Sequence, residues 1–175
     1  MAVIERLTPA HVVPYRALML EAYERHPDAF TSSAAERAAL PLSWWEARVA
    51  EGPLPPEAVF GAFIDGRLSG VAGLSFETRE KTRHKATLFG MYVPPLARQH
   101  GLGAQLVRAA LDHAAARPGL ALVQLTVSQG NAAAQALYER CGFVAFGVEP
   151  MAVRVGDGYV AKVHMWRQVG RAARG

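Results

Sequence analysis

The 175-residue sequence has a single cysteine, Cys141, and no long apolar run. One cysteine cannot form an internal disulfide, which is typical of proteins in a reducing compartment, so we expect a cytoplasmic protein. The longest stretch without a charged residue, 118–138, is interrupted by polar side chains. Because a bilayer core needs about 20 mostly apolar residues, we expect no membrane span. Glu5 and Arg6 stand where a secretory signal would have its apolar core, so we do not expect export.

Charged residues are also few, at 19% of the chain, whereas hydrophobic residues make up 51%. This balance excludes a disordered segment, and the length suits one compact domain spanning residues 1–175. The net charge of +4 comes from scattered basic residues, whereas a nucleic-acid interface would cluster them, so we expect no nucleic-acid partner. The six histidines form no pair at helical metal spacing, so we predict no metal site.

Apolar periodicity and turn signals predict the order of the secondary structure. A strand is followed by several helices, three strands, a helix, a strand, a helix and two final strands. The predicted strands are 3–7, 59–64, 68–76, 86–93, 120–127, 143–148 and 160–166, and long helices are predicted from residues 8, 101 and 131. Strand–helix–strand in the middle requires a parallel pair within an otherwise antiparallel sheet. The predicted fold class is therefore α/β, with a mixed, mostly antiparallel sheet.

Shorter signals refine this order. Asp65-Gly66 lies between two apolar runs and predicts a tight hairpin. Residues 33–36 and 43–46 each read Ser-x-x-Glu, the pattern of a capping box, so we predict that two short helices begin there. Residues 51–57 contain three prolines and predict a break in regular structure rather than a domain linker.

The most informative stretch is the turn at residues 98–104, Arg-Gln-His-Gly-Leu-Gly-Ala, between a predicted strand and a predicted helix. The first amides of a helix have no partner within it and lie at the positive end of its dipole, so they attract anions. Glycines let a phosphate approach the backbone, and the Arg98 guanidinium matches phosphate oxygens. The turn lacks both the Lys-Ser/Thr of a Walker loop and the third glycine of a dinucleotide fingerprint. It suits a pyrophosphate; the alternative is a pair of glycines that merely begin a helix.

A second constellation follows the next predicted strand. Asn131, Ala134 and Tyr138 are spaced i, i+3 and i+7, so they share one face of a helix that ends near Gly142. The small Ala134 leaves room beside that face for a slender ligand. The alternative is that Tyr138 is a core aromatic residue and Asn131 only caps the helix.

Together the two stretches resemble the Gcn5-related N-acetyltransferase (GNAT) family. The family's Gln/Arg-x-x-Gly-x-Gly/Ala turn is matched from Arg98 to Gly103, and its Asn-x-x-Ala-x-x-Leu-Tyr-x-x-x-Gly-Phe pattern is matched from Asn131 to Phe143. The resemblance covers residues 3–166. It implies a sheet whose central parallel pair is splayed around acetyl-CoA, with helices on both faces. It also implies an acetyl-CoA-dependent N-acetyltransferase.

The resemblance further implies a cofactor site made of the turn, the end of the preceding strand and one helix face. The turn residues would wrap the pyrophosphate, and these are Arg98, Gln99, His100, Gly101, Leu102, Gly103 and Ala104. The backbone of the strand residues Met91, Tyr92 and Val93 would pair with the pantetheine arm. Asn131 and Ala134 would flank that arm from the other side.

Catalysis would need an acid for the departing thiolate and a base for the amine. The resemblance assigns the acid to Tyr138, because a phenol with a reference pKa near 10 is protonated at neutral pH. An alkyl amine has a pKa near 10.4, so its deprotonation at pH 7 costs about 4.6 kcal/mol. Glu77, near the end of the third predicted strand, is the first candidate base, and His84 is the second. For both residues the alternative is a solvated side chain at a strand end.

The expected acceptor is the amine of a small molecule, because the chain is short and has no peptide-reading repeat. A homodimer is compatible with this expectation. Two alternatives stay open: a non-catalytic acyl-CoA sensor, and an acetyltransferase acting on a protein N-terminus or lysine. Trp44 and Trp45 either pack in the core between helices or cover the acceptor pocket.

Overall fold

A computed structural model describes residues 2–170, except the side chain of Gln99. Within these residues the strands are β1 (Ala2–Arg6), β2 (Glu57–Ile64), β3 (Arg67–Phe76), β4 (Lys85–Tyr92), β5 (Leu122–Ser128), β6 (Val144–Val155) and β7 (Gly158–Gln168). The α-helices are α1 (Val12–Arg25), α2 (Ala34–Ala38), α3 (Leu42–Arg48), α4 (Leu102–Ala116) and α5 (Ala132–Arg140). Short 3-10 turns, Pro9–His11 and Pro95–His100, precede α1 and α4. No helix of the described part is long and apolar enough to cross a bilayer.

The strands form one mixed sheet in the order β1-β2-β3-β4-β5-β7-β6. Neighbouring strands are antiparallel except β4 and β5, which are parallel. The predicted fold class is therefore confirmed. The parallel pair is joined only from Lys85–Leu122 to Thr87–Gln124, although β4 continues to Tyr92 and β5 to Ser128. Beyond Thr87 the two strands separate, which opens the sheet in its middle.

A hydrophobic core lies on each face of this sheet. On one face, alternate strand residues such as Leu74 pack in a cluster with Leu106 of α4. On the other face, Val71 packs in a cluster with Met19 of α1 and Trp45 of α3. Because successive side chains of a strand point to opposite faces, the nearly continuous apolar runs of β2 and β3 supply both cores. Helices cover both faces, as the family resemblance implied.

The hairpins differ in how well the sequence predicted them. Asp65 and Gly66 have φ values of 50° and 76°, which the predicted tight β2–β3 turn requires at both positions. The β6–β7 hairpin is longer than predicted. A bulge between Glu149 and Val153 interrupts the pairing around Pro150, and the ladder then continues to the end of β6.

The two predicted capping boxes have different outcomes. The Ser33 hydroxyl accepts from the Glu36 amide and the Glu36 carboxylate accepts from the Ser33 amide, so the first box is confirmed. The second box is wrong, because α3 begins at Leu42 after Pro41 and Ser43 lies inside it, although the short helix predicted there is present.

His113 on α4 makes the stability of this core depend on pH. Its ring packs against Phe60 and Phe76, at centroid distances of 5.4 and 6.0 Å. Burial, followed by the positive charges of Arg6 and Arg117, lowers the pKa of His113. The unfolded chain then binds a proton more readily, so stability is lost as the pH falls through the unfolded value near 6.5. We expect the melting temperature to fall as the pH is lowered from about 7 to about 5. The variant His113→Gln should show a smaller fall over the same pH range. An identical pH slope in the variant would contradict the assignment.

Candidate functional site

Two adjoining cavities open where β4 and β5 separate. The first, of about 470 Å³, is lined by Glu57, Thr87 and other residues on the sheet face beneath α1–α3, and we call it the sheet cavity. The second, of about 410 Å³, is lined by Arg98, Gly103 and other residues at the start of α4, and we call it the helix cavity. The residues that line both cavities are Ala29, Phe30, Met91, Asn131, Ala134 and Tyr138. Groups bound in the two cavities would therefore meet at this shared boundary.

The helix cavity is built on the predicted anion-binding turn. Gly101 precedes α4 in the left-handed conformation, with a φ of 67°, which favours glycine. Gly101, Gly103 and Ala104 line the cavity. These residues lie at the start of α4, so the positive end of the helix dipole lies at this cavity. The amides of this first turn have no acceptor within the helix.

Gly103 keeps space open that any larger residue would take. A Cβ at this position would lie 2.9 Å from Leu137 Cδ2 and 3.2 Å from Met91 Cε. Both atoms are the ends of flexible side chains whose residues line the helix cavity. A side chain at position 103 would therefore displace them and narrow the cavity.

Two arginines add positive charge to the helix cavity. Arg98 Nε donates to the Val93 carbonyl at 2.9 Å, and Arg98 Nη2 lies 3.3 Å from His26 Nε2. Arg140, at the end of α5, lines the same cavity. Arg98 is recognisable from the sequence, whereas Arg140 is not, because the Asn131–Phe143 pattern does not specify that position. Guanidinium groups beside a helix N-terminus suit a phosphate-bearing ligand.

The end of β4 presents its backbone to the gap. In the described residues, β4 pairs with β5 no further than Thr87, so the strand edge beyond it has no β5 partner. Met91, Tyr92 and Val93, which the family resemblance assigns to the cofactor site, line the helix cavity. The open amides and carbonyls of a strand edge can pair with an extended ligand in the way that an added strand does.

Tyr138 lies at the boundary between the cavities. The residue is 9% exposed, and its hydroxyl donates to Met91 Sδ at 3.5 Å. Burial, followed by the nearby Cys141 thiol, raises the pKa of Tyr138 to about 12. The phenol is therefore protonated at neutral pH and can donate to an atom held between the two cavities.

Asn131 and Ala134 complete this face of α5. Asn131 Oδ1 accepts from the Ala134 amide at 3.3 Å, so Asn131 caps the helix. Both residues also line both cavities, so capping does not prevent contact with a ligand. The predicted sharing of one helix face by Asn131, Ala134 and Tyr138 agrees with this arrangement.

The sheet cavity contains charges that the sequence analysis did not assign to a site. Its charged lining residues are the cations Arg37, Arg48 and Lys162 and the carboxylate Glu57. Arg48 Nε lies 3.7 Å from Glu57 Oε2. Burial lowers the pKa of Lys162, while Glu149 acts in the opposite direction. The cavity therefore has an excess of positive charge.

The two adjacent tryptophans have different environments. Trp45 is fully buried in the core with α1, which is the packing alternative of the sequence analysis. The Trp44 ring lies beside the arginines of the sheet cavity, with its centroid 4.4 Å from Arg37 Cζ and 4.2 Å from Arg48 Cζ. Trp44 therefore positions charges at the cavity wall.

Neither predicted base is among the residues that line the two cavities. Glu77 is exposed just beyond β3, and its carboxylate accepts from Thr82 Oγ1 at 3.4 Å. His84 immediately precedes β4, where its carbonyl accepts from the Ala121 amide. Catalytic roles for Glu77 and His84 stay predictions. Glu57, the first residue of β2, is the carboxylate that the structure brings into the sheet cavity.

A family model described as the acetyltransferase (GNAT) family matches residues 16–143. The match spans most of the chain and includes both the turn at residues 98–104 and the Asn131–Phe143 pattern. The chain belongs to the GNAT family. As a GNAT acetyltransferase, it is an acyltransferase that uses acetyl-CoA as the acetyl donor.

Solved structures share the fold of this GNAT acetyltransferase. The protein yncA from Salmonella typhimurium, solved with its cofactor acetyl-CoA, is 21% identical, with a TM-score of 0.81 and coverage of 100% of this chain and 98% of that chain. A phosphinothricin acetyltransferase from Sinorhizobium meliloti, in complex with acetyl-CoA, is 18% identical (TM-score 0.79; coverage 99% and 91%). A ribosomal-protein-alanine N-acetyltransferase from Brucella melitensis is 23% identical (TM-score 0.77; coverage 95% and 99%). At sequence identities of 18–23%, the similarity of these structures to this chain establishes a shared fold.

The helix cavity of this GNAT protein has the chemistry that acetyl-CoA requires. Cationic side chains and a helix N-terminus suit its phosphates, and an open strand edge suits its amide-containing arm. No group of three or more His, Cys, Asp or Glu side chains within residues 2–170 is arranged to hold a metal ion.

Proposed function

We propose that this chain transfers the acetyl group of acetyl-CoA to a primary amine of a small molecule by direct attack, with both substrates bound at once. The observation that supports this most strongly is the shared boundary of the two cavities at Met91 and Tyr138. A thioester held in the helix cavity and an amine held in the sheet cavity would meet there. In the reaction the amine nitrogen bonds to the acetyl carbon, the carbon–sulfur bond breaks, nitrogen loses a proton and sulfur gains one.

The donor would be bound mainly through backbone and arginine contacts. The turn at residues 98–104 would hold the pyrophosphate, with Arg98 and Arg140 adding charge. The open edge of β4 at Met91 to Val93 would pair with the pantetheine arm, and Asn131 would contact the arm from α5. A backbone amide of this edge would also stabilise the negative charge that develops on the acetyl oxygen.

Tyr138 would donate a hydrogen bond to the sulfur as the carbon–sulfur bond breaks. Its pKa of about 12 keeps the proton available. Complete transfer to a thiolate with a reference pKa near 8.5 would be uphill by about 5 kcal/mol. Desolvation at the same buried boundary raises the pKa of the thiol as well, which narrows this gap. The main contribution of Tyr138 is therefore stabilisation of the leaving group in the transition state.

Glu57 is our preferred base in place of Glu77. Its carboxylate lies in the sheet cavity, where the amine would bind, whereas Glu77 lies outside both linings. Arg48 Nε lies 3.7 Å from Glu57 Oε2, so this carboxylate is held in an ion pair at the cavity wall. Glu57 would accept a proton from the acceptor ammonium, directly or through one water.

The walls of the sheet cavity support a small acceptor. The segment between α1 and α2 is tied across the gap, because Ser128 Oγ donates to the Asp28 carbonyl and Lys162 Nζ donates to Thr31 Oγ1. This segment also supplies Phe30 to the cavity. A cavity volume of about 470 Å³ suits a small ligand. The structural neighbours include enzymes named for a small molecule and for a protein, so the cavity, not the fold, supports this proposal.

Two measurements test the proposal in sequence. Calorimetry with acetyl-CoA should show binding, and no heat at high micromolar ligand would contradict the assigned donor site. A thiol-release assay across small amines, peptides with free N-termini and lysine peptides should then show turnover with small amines. Binding without any turnover would favour the sensor alternative, and turnover confined to peptides would favour a protein acceptor.

Gly103→Val should weaken acetyl-CoA binding at least about tenfold, because the branched side chain would push Leu137 and Met91 into the helix cavity. Calorimetry measures the change. Gly147→Val is the matched control, since a Cβ at Gly147 meets nothing within 4 Å and the residue does not line either cavity. Equal affinities for Gly103→Val and the parent would contradict the placement of the donor.

A further inference from the structure

The sheet cavity has more positive charge than its own carboxylate can neutralise. Arg37, Arg48 and Lys162 line it together, and Glu57 is the acidic residue among its lining. Clustered cations repel one another, and buried charges are normally paired in proteins. A ligand that brings negative charge would relieve this imbalance.

Arg48 is held rigidly at the wall of this cavity. The residue is 9% exposed, and its guanidinium lies between the Trp44 ring, 4.2 Å from Cζ to the centroid, and the Phe89 ring, at 4.7 Å. Its Nε makes no hydrogen bond in the described residues, and Glu57 Oε2 at 3.7 Å is just beyond hydrogen-bond distance. Two aromatic rings therefore order the Arg48 guanidinium at the cavity wall before a ligand binds.

Arg37 is a second cation that contacts the Trp44 ring. Its Cζ lies 4.4 Å from the Trp44 ring centroid. Arg37 Nε is also buried without a hydrogen-bond partner in the part of the chain that the structure describes. Arg37 and Arg48 both line the sheet cavity, so an oxyanion bound there would lie beside two cations.

We propose that the acceptor is a small zwitterion, an amine that carries a carboxylate or another oxyanion one or two carbons from its nitrogen. This inference rests on the proposed function and specifies its substrate class. Arg48 and Arg37 would bind the oxyanion, and Glu57 would face the ammonium. The 3.7 Å between Arg48 Nε and Glu57 Oε2 places the two binding charges side by side, so the charges of the acceptor must also be close together. Amino acids and aminophosphonates have this form.

This pairing selects against other amines. A polyamine would bring only positive charge to three cations and would be repelled. A protein N-terminus has an amide where a free amino acid has its carboxylate, so it would bring no anion to the two guanidinium groups.

The test uses matched pairs of acceptors with the intact protein and acetyl-CoA. Each pair consists of an amino acid and its carboxamide, with aminophosphonates and polyamines as additional acceptors. At least one free acid should be acetylated, with a kcat/KM at least about tenfold above that of its amide, the size expected for a charged hydrogen bond. The preference should appear mainly in KM, because the oxyanion takes no part in the chemical step.

Variants show whether the two arginines produce this preference. In Arg37→Gln and Arg48→Gln, the preference for acid over amide should shrink to about threefold or less. Arg83→Gln, an exposed residue outside both linings, is the control and should keep it. Arg37 is less buried than Arg48, so Arg37→Gln gives the answer even where Arg48→Gln fails to fold.

The inference and the proposed function fail in different ways. Amides or polyamines acetylated as well as the acids would overturn the inference, as would a panel in which no acid is acetylated. A preference unchanged in Arg37→Gln would overturn the role of the arginines. Loss of acetyl-CoA binding in the parent protein would instead overturn the proposed function itself.

Discussion

Tyr138→Phe should lower kcat by about 10²-fold. This value lies both in the range expected for loss of a charged hydrogen bond and in the range expected for loss of general acid catalysis. The substitution removes the hydroxyl that donates to Met91 Sδ and keeps the ring that packs against Phe143. Because the role proposed for the hydroxyl begins only as the carbon–sulfur bond breaks, acetyl-CoA affinity and folding stability should hardly change. Single-turnover kinetics measure the chemical step, and calorimetry measures the affinity.

The raised pKa of Tyr138 also predicts the shape of the pH profile. A phenol with a pKa of about 12 loses its proton only as the pH passes that value. The parent should therefore show no fall in kcat from this group between about pH 7 and 10. A variant that turns over like the parent, with chemistry shown to be rate-limiting, would reduce Tyr138 to a packing residue.

Glu57→Gln should lower kcat/KM by about 10²–10⁴-fold near neutral pH, the usual range for loss of a general base. An amine with a pKa near 10.4 is mostly protonated at pH 7 and needs a proton acceptor before it attacks. The deficit should therefore shrink as the pH approaches about 10, where the amine loses its proton without help. A pH–rate series for parent and variant measures this convergence.

Glu77→Gln is the matched control for Glu57→Gln. Glu77 is exposed and outside both cavity linings, so this variant should behave like the parent. The opposite pattern, an inactive Glu77→Gln beside an active Glu57→Gln, would restore the assignment made from sequence. A deficit of Glu57→Gln that is the same at every pH would indicate a structural effect of losing the partner of Arg48.

The fold could be predicted from sequence because its signals are local. Alternating or continuous apolar runs specify the strands, and the Asp65-Gly66 turn joins two of them. The strand–helix–strand segment between β4 and β5 requires the parallel pair. The length of the β6–β7 hairpin was not predictable in the same way, because Pro150 reads as a strand end while the bulge beside it lets the pairing continue.

The donor side of the site was equally accessible to sequence reasoning. Arg98 to Ala104 and Asn131 to Phe143 are contiguous motifs, and helix geometry alone places Asn131, Ala134 and Tyr138 on one face. Residues of both segments line the cavities beside the gap between β4 and β5, and their roles in binding acetyl-CoA stay predictions.

The acceptor side depends on long-range packing, which the sequence does not show. Glu57 follows three prolines, which predict a break, although it lies two residues before Val59 and so shares its strand face. Trp44 and Arg48 are spaced i, i+4, a signal for a stacked pair on a helix. Nothing in that spacing shows that Arg48 approaches Glu57, because their contact depends on how α3 packs against β2.

Incubation with isotope-labelled acetyl-CoA and a cell extract, followed by mass spectrometry of the low-mass and protein fractions, tests the central claim most directly. We predict that the label enters small amines, and that it does so much more slowly when Tyr138→Phe replaces the parent. Label confined to protein, or no label transfer from a protein that binds acetyl-CoA, would contradict acetyl transfer to a small amine at the boundary of the two cavities.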